Sequence, residues 1–169
     1  IEERNIYFCN TPDYGTDEVS DTVIGMLMNI ARGITQYDHA CKRYEDGTWQ
    51  ENTLPYIKRT SDIHFGVIGA GRIGGSILRK AKAIGFNCYF YDPYQDSGYE
   101  KMLGVNRIET QDELLKIADI ISINTPLTNI TRGMIDESFI SSMKTGASFI
   151  NAARGEIVSD IDIFTVPIK

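Results

Sequence analysis

Gly69-Ala70-Gly71-Arg72-Ile73-Gly74 follows directly on the apolar run 63–68 and opens a stretch of helical patterning, and Asp92 arrives eighteen positions after the last of these glycines. No other feature constrains the fold as tightly. A strand must end and a helix begin within six residues. The first glycine permits the tight turn, the second lets backbone approach an anionic ligand closely, and the third lets helix pack on strand. At such a helix start, unpaired N–H groups and the positive end of the helix dipole favour phosphates. Glycines at this spacing alone are a weak sign. With a strand before, a helix after and an acid about 20 residues on, they mark a dinucleotide-binding unit. Asp92 would accept hydrogen bonds from the adenosine ribose hydroxyls and repel a 2′-phosphate, and Pro93-Tyr94 brings no Arg to welcome one, so NAD is expected over NADP.

The rest of the chain agrees with that unit. Strands are predicted at 63–68, 86–91, 120–124 and 147–151, with a shorter one at 105–108. Helices are predicted at 72–84, ended by Gly85, at 110–118, opened by the capping-box spacing of Thr110 and Glu113, and at 136–143. Strands alternating with helices specify an α/β fold with a doubly wound parallel sheet, because each parallel neighbour needs a crossover to bring the chain back. Upstream, Asp17-Glu18 would open a helix with Val19, Val23, Leu27, Ile30 and Ile34 at helical spacing. Ile24, Met26 and Met28 make it apolar around much of its circumference, as expected of a helix buried between two bodies. Residues 46–61, with Gly47 and Pro55, read as a connector, and Ile6-Tyr7-Phe8-Cys9 reads as a strand.

Composition narrows the partners. The net charge of −6, from 17 basic and 23 acidic residues, is spread without blocks, which argues against a nucleic-acid groove and for a small soluble ligand. Cys9, Cys41 and Cys88 are odd in number and lack metal-like or paired spacing, as expected of reduced thiols in a cytoplasmic protein. No apolar run reaches membrane-spanning length, and no metal site is expected. Ile1-Glu2-Glu3-Arg4 lacks a signal-peptide layout, and the chain is expected to begin mid-protein.

In an open parallel sheet, ligands bind outside the carboxyl ends of the strands. The residues expected there are 69–74, Asp92, Thr125-Pro126 and Ala152-Ala153-Arg154-Gly155. Thr125-Pro126 either borders the ligand or merely ends a strand. Arg154 is either a surface cation or a planar clamp that holds a carboxylate and an adjacent carbonyl by bidentate bonds.

Four stretches resemble the D-isomer-specific 2-hydroxyacid dehydrogenases, in the branch that includes phosphoglycerate dehydrogenase and the C-terminal-binding-protein corepressors. They are Asn10-Thr11-Pro12-Asp13-Tyr14 through Asp21; the 69–74 fingerprint with Asp92; Asn124-Thr125-Pro126-Leu127 through Ile135; and Asn151-Ala152-Ala153-Arg154-Gly155-Glu156-Ile157-Val158. The resemblance implies a Rossmann-type NAD-binding domain with a remnant of a second, substrate domain. It implies the end of the substrate domain at 1–15, an interdomain helix and connector at 16–60, the dinucleotide-binding domain at 61–160 and a C-terminal segment at 161–169. Arg72 and Ile73 would offer backbone to the pyrophosphate, Asp92 would hold the ribose, and Thr125 and Ala152 would border the nicotinamide side, with Gly69, Gly71, Gly74, Pro126, Ala153 and Asp162 as further cofactor-binding residues. Arg154 would be catalytic, orienting a 2-oxo acid and stabilising charge on its carbonyl oxygen. A homodimer acting on a small 2-hydroxy or 2-oxo acid is implied, with an NAD(H)-sensing corepressor-like dimeric scaffold as the alternative.

The match breaks at the proton donor. The family uses a His whose basicity a Glu raises, but the only histidines are His39, beyond the interdomain helix, and His64, at the amino end of the first strand. Val166 stands before Pro167 where the family has its Glu, and only residues 156–160 separate the arginine segment from 161–169. The expectation is that residues are left out between Asp160 and Ile161, because an apolar parallel sheet without its covering helix would leave a strand face wet.

Overall fold

The computed structural model describes residues 7, 9–42, 54 and 57–160. Its centre is a five-stranded sheet in which every neighbouring pair is parallel, in the order β3-β2-β1-β4-β5. The strands are β1 (His64–Ile68), β2 (Asn87–Tyr91), β3 (Asn106–Arg107), β4 (Ile120–Ile123) and β5 (Ser148–Asn151). Chain order runs outward from β1 through β2 to β3, then returns to the other side of β1 for β4 and β5. The direction therefore reverses between β1 and β4, which is where a doubly wound sheet opens its ligand crevice.

Helices cover both faces. On one lie α1 (Thr16–Arg32) and α3 (Arg72–Ile84); on the other lie α5 (Gln111–Ile117) and α6 (Glu137–Ser142). Alternation along β1 shows why both are needed. Phe65 and Val67 join Val23, Leu27, Ile77 and Leu78 in one core, while Ile68 joins Leu114, Ile121 and Phe139 in the other. Gly66 leaves room on that second face, where a Cβ would meet Ala118 and Leu114 at 3.1 Å. Losing one such side chain to Ala, Leu27 for example, costs about 2–5 kcal/mol once the cavity is included.

Local chemistry sets the boundaries. α3 stops at Gly85, whose φ of +106° ends the helix in the left-handed region. Thr110 Oγ1 accepts from the Glu113 N–H at 3.3 Å to cap α5, and Asp136 Oδ1 accepts from the Phe139 N–H at 2.8 Å to cap α6. α1 buries Ser20, Val23, Leu27 and Ala31, and Lys80 of α3 donates to Asp17, Ser20 and Asp21 across that contact. Its opposite face, with Gly25 and Met26, is exposed among the described residues.

Two helices have no counterpart in the sequence reading: α2 (Ile34–Lys42), and α4 (Tyr99–Leu103), which lies between the strands expected at 86–91 and 105–108. Of the connector only residues 54 and 57–61 are described, and a 3-10 turn, Thr60–Asp62, closes it. Of the expected first strand only Tyr7 and Cys9 are described, and both lie outside any strand. The segment 161–169, Asp162 included, lies outside the described residues.

Candidate dinucleotide site

The fingerprint forms the floor of the crevice. Gly69 turns the chain out of β1 at φ +87°, and a Cβ there would stand 3.0 Å from the backbone of Asn124 and Thr125, so β1 and β4 end in close contact. Gly71 is the N-cap of α3, with no side-chain cap and open space where a Cβ would sit. Gly74 is buried in the first turn, and a Cβ on it would fall 2.0 Å from the Gly69 carbonyl oxygen. Only glycine lets α3 approach β1 this closely. The exposed helix start, carried by Arg72 and Ile73, thus presents N–H groups to the crevice with no side-chain cap among the described residues.

Asp92 follows β2 and is 8% exposed. Its Oδ2 accepts from the Ala70 N–H at 2.8 Å and its Oδ1 from the Tyr94 N–H at 2.9 Å. Each carboxylate oxygen keeps lone-pair capacity for a ligand hydroxyl. Gln95 closes the loop by donating from Nε2 to the Ala70 carbonyl at 3.0 Å. One premise of the sequence reading needs correction. A basic residue does stand beside this loop: Arg107, on β3, donates to the Asp92 carbonyl at 3.3 Å. Scanning forward from Asp92 misses it, because strand pairing brings it there. Gln95 is missed for a similar reason: its amide acts through the fold on Ala70.

A cleft of about 630 Å³ brings Gly71, Arg72 and Ile73 together with Thr125, Pro126, Ala152, Ala153 and Arg154. Residues 10–16 form another wall, held by the Thr16 hydroxyl bonded to Asp13, which adopts φ +62°. Thr125 Oγ1 is buried without a hydrogen-bond partner, a polar atom that a ligand in the cleft would satisfy. Arg154 leaves β5 on a loop wrapped by Asn151, whose Oδ1 accepts from Ala153 N–H at 3.1 Å and whose Nδ2 donates to the Arg154 carbonyl at 2.9 Å. Beyond it, Ile157 is buried, and its carbonyl receives the Ile135 N–H at 3.0 Å. The Arg154 guanidinium is exposed and bonds the Ala153 carbonyl at 2.8 Å through one N–H.

Neither histidine reaches this edge. His64 starts β1 at the opposite end of the sheet, its ring 5.3 Å from that of Tyr89, and His39 is on α2. Among the described residues no group of acidic, His and Cys side chains could hold a metal ion, and no helix is long and apolar enough to cross a membrane.

A topological switch point with a glycine-rich helix start and a buried acid after the second strand defines a dinucleotide-binding domain. Residues 24–166 match the family model of the D-isomer specific 2-hydroxyacid dehydrogenase NAD binding domain, and the chain belongs to that family. NAD is therefore the cofactor, and the uncapped helix start, the oriented Asp92 and the unsatisfied Thr125 hydroxyl fit it. The chain is 35% identical over 158 residues to D-3-phosphoglycerate dehydrogenase of Methanocaldococcus jannaschii, covering 94% of this chain and 29% of that one. It is 33% identical over 159 residues to glyoxylate reductase of Korarchaeum cryptofilum, covering 92% and 47%. Among solved structures, D-lactate dehydrogenase from Aquifex aeolicus, complexed with NAD and lactic acid, matches with TM-score 0.81 and 29% identity over 96% of this chain and 47% of that one. The chain thus spans less than half the length of these relatives.

Proposed function

We propose that the intact protein interconverts a D-2-hydroxy acid and its 2-oxo acid, with NAD bound along the 69–74 turn and Asp92. One observation carries the reading: Arg154 opens into the same cleft as the uncapped start of α3, on a loop fixed by Asn151 and by the buried Ile157. When bound, NAD supplies the hydride acceptor or donor. Arg154 orients the substrate carboxylate and carbonyl with its planar donors and stabilises charge that develops on the carbonyl oxygen. His39 and His64 are both remote from the cleft, so the proton for that oxygen comes from another group. The relatives' names, phosphoglycerate dehydrogenase, glyoxylate reductase and D-lactate dehydrogenase, support a small 2-hydroxy or 2-oxo acid substrate.

The domain division belongs to this proposal: residues 1–15 end a substrate domain, 16–60 link it to the dinucleotide-binding domain at 61–160, and 161–169 form a C-terminal segment. A homodimer is supported by the outer face of α1, where Met26 is 46% exposed. A cytoplasmic setting is supported by the cysteines. Cys9 and Cys41 are exposed and unpaired, and Cys88 is an inert buried thiol pushed up to about 12 by burial.

Steady-state oxidation of NADH by the intact protein, with glyoxylate, pyruvate and bulkier 2-oxo acids, tests the activity. Turnover with at least one of them is expected; tight NADH binding without turnover on any would favour a cofactor-sensing scaffold instead.

A further inference from the structure

β3 is only two residues long, and one of them is Arg107. The register Phe90↔Arg107 sets this side chain beside the end of β2, with the guanidinium 6.0 Å from the centroid of the Phe90 ring. From there Nη1 donates to the carbonyl oxygens of Gln95 at 3.0 Å and Asp96 at 3.3 Å, and Nη2 to that of Asp92 at 3.3 Å. The side chain is 19% exposed, and its one acidic partner among the described residues, Glu109, lies 3.9 Å from Nε at the solvent edge. Three carbonyls of one short loop therefore point at a single planar cation. The Asp96 carbonyl also accepts from the Tyr99 N–H at 3.3 Å, so among the described residues it is the Asp92 and Gln95 carbonyls, next to the Asp92 carboxylate, that depend on this cation for a donor. A fork of fixed N–H donors meets that need; a compact ammonium on a flexible stem meets it less well.

We propose that Arg107 is a positioning residue for the adenosine half of the cofactor. The loop carrying Asp92 is anchored on one side by the fingerprint, through Ala70 N–H to Asp92 and Gln95 to the Ala70 carbonyl, and on the other by Arg107. The fingerprint fixes the carboxylate, and Arg107 fixes the backbone that bears it. Arg107 touches none of the cleft residues at the Arg154 end, so its effect is confined to the ribose-binding half. This inference rests on NAD binding at Asp92.

The test is fluorescence titration of the intact protein with NADH, and competition with ADP-ribose and with reduced nicotinamide mononucleotide, for the parent, R107M and R107K. R107M should bind NADH and ADP-ribose more weakly by about tenfold or more, the order expected when charge-assisted hydrogen bonds that place a binding group are lost. Its affinity for the mononucleotide, which lacks the adenosine ribose, should not change. R107K should fall between parent and R107M, and because it keeps the cation it carries the comparison if R107M does not fold. With a turned-over substrate, KM for NADH should rise and kcat stay within about twofold, as for an interaction made equally in ground and transition states. Parent-like NADH affinity in both variants overturns the proposal, and so does an equal loss for NADH and the mononucleotide. A parent that binds neither NADH nor ADP-ribose overturns the cofactor assignment itself, and this proposal with it.

Discussion

The Ala70 N–H donates to Oδ2 of Asp92 at 2.8 Å, so the turn after β1 and the acid after β2 form one hydrogen-bonded unit although 22 residues separate them. The carboxylate is thus aimed before any ligand arrives. Preorganisation of this kind lowers the ordering cost of binding, which supports the proposed role of Asp92 in distinguishing two cofactors that differ by one phosphate.

NADH should therefore bind well and NADPH poorly. Asp92→Ala together with Tyr94→Arg should shift preference towards NADPH, since Tyr94 is 83% exposed and its replacement meets no core. Arg107 adds a positive charge near the loop, so some of the shift should already appear in Asp92→Ala alone. Titration of both cofactors against parent and variants checks this; equal affinity of the parent for NADH and NADPH would contradict it.

Gly74→Ala should damage cofactor binding and stability together. A Cβ 2.0 Å from the Gly69 carbonyl oxygen must push α3 away from β1, and overpacking of this kind typically costs about 1–3 kcal/mol. Thermal melting and NADH titration of the variant would read both losses. A variant with parental melting temperature and affinity would show that the close approach is dispensable.

Asp119 gives a pH prediction. Burial alone would push its carboxyl up, but donors from Lys144, the His64 N–H and Lys58 outweigh that and hold it at about 2. Its folded value lies below the unfolded one, so the stability it contributes is fully present above about pH 4 and is lost as pH falls towards 2. Both lysines are partly exposed, which screens the pairs, so Asp119→Asn should cost roughly 1–2 kcal/mol at pH 7 and little at pH 2. Urea unfolding of parent and variant across pH 2–7 measures it; a difference independent of pH would contradict the assignment.

If the outer face of α1 is a subunit contact, light scattering of the intact protein at micromolar concentration should give twice the chain mass. Met26→Glu, which puts a charge on that exposed apolar position, should raise the monomer fraction. A parent that is monomeric at that concentration would refute the dimer.

The sheet was legible because its signals are local: Gly85 stops α3, Thr110 and Asp136 cap α5 and α6, and apolar runs mark β1, β2, β4 and β5. α2 was not, because none of its residues is buried and its first residue, Ile34, reads as the end of the periodic run of α1, which Gly33 stops at φ +60°. α4 has five residues between Gly98 and Gly104, which read as turn formers at both ends. At the candidate site, the glycine-rich turn and the residues directly after a strand could be placed at one edge of the sheet from spacing. Arg107 and Gln95 could not, since their partners are set by β2–β3 pairing and by the fold of the loop over Ala70.

In the proposed reaction Arg154 acts on the substrate while the fingerprint and Asp92 hold the cofactor. Comparing NADH affinity and kcat/KM for the 2-oxo acid in the parent, Arg154→Ala and Arg154→Lys separates the two roles most directly. Arg154→Ala should keep NADH affinity nearly intact while kcat/KM falls by the equivalent of about 3 kcal/mol, the size expected for one oriented donor to a developing oxyanion. Arg154→Lys should recover only part of that loss, because the charge returns without the planar fork. An Arg154→Ala variant as fast as the parent, or one that loses NADH binding in proportion to turnover, would contradict the account.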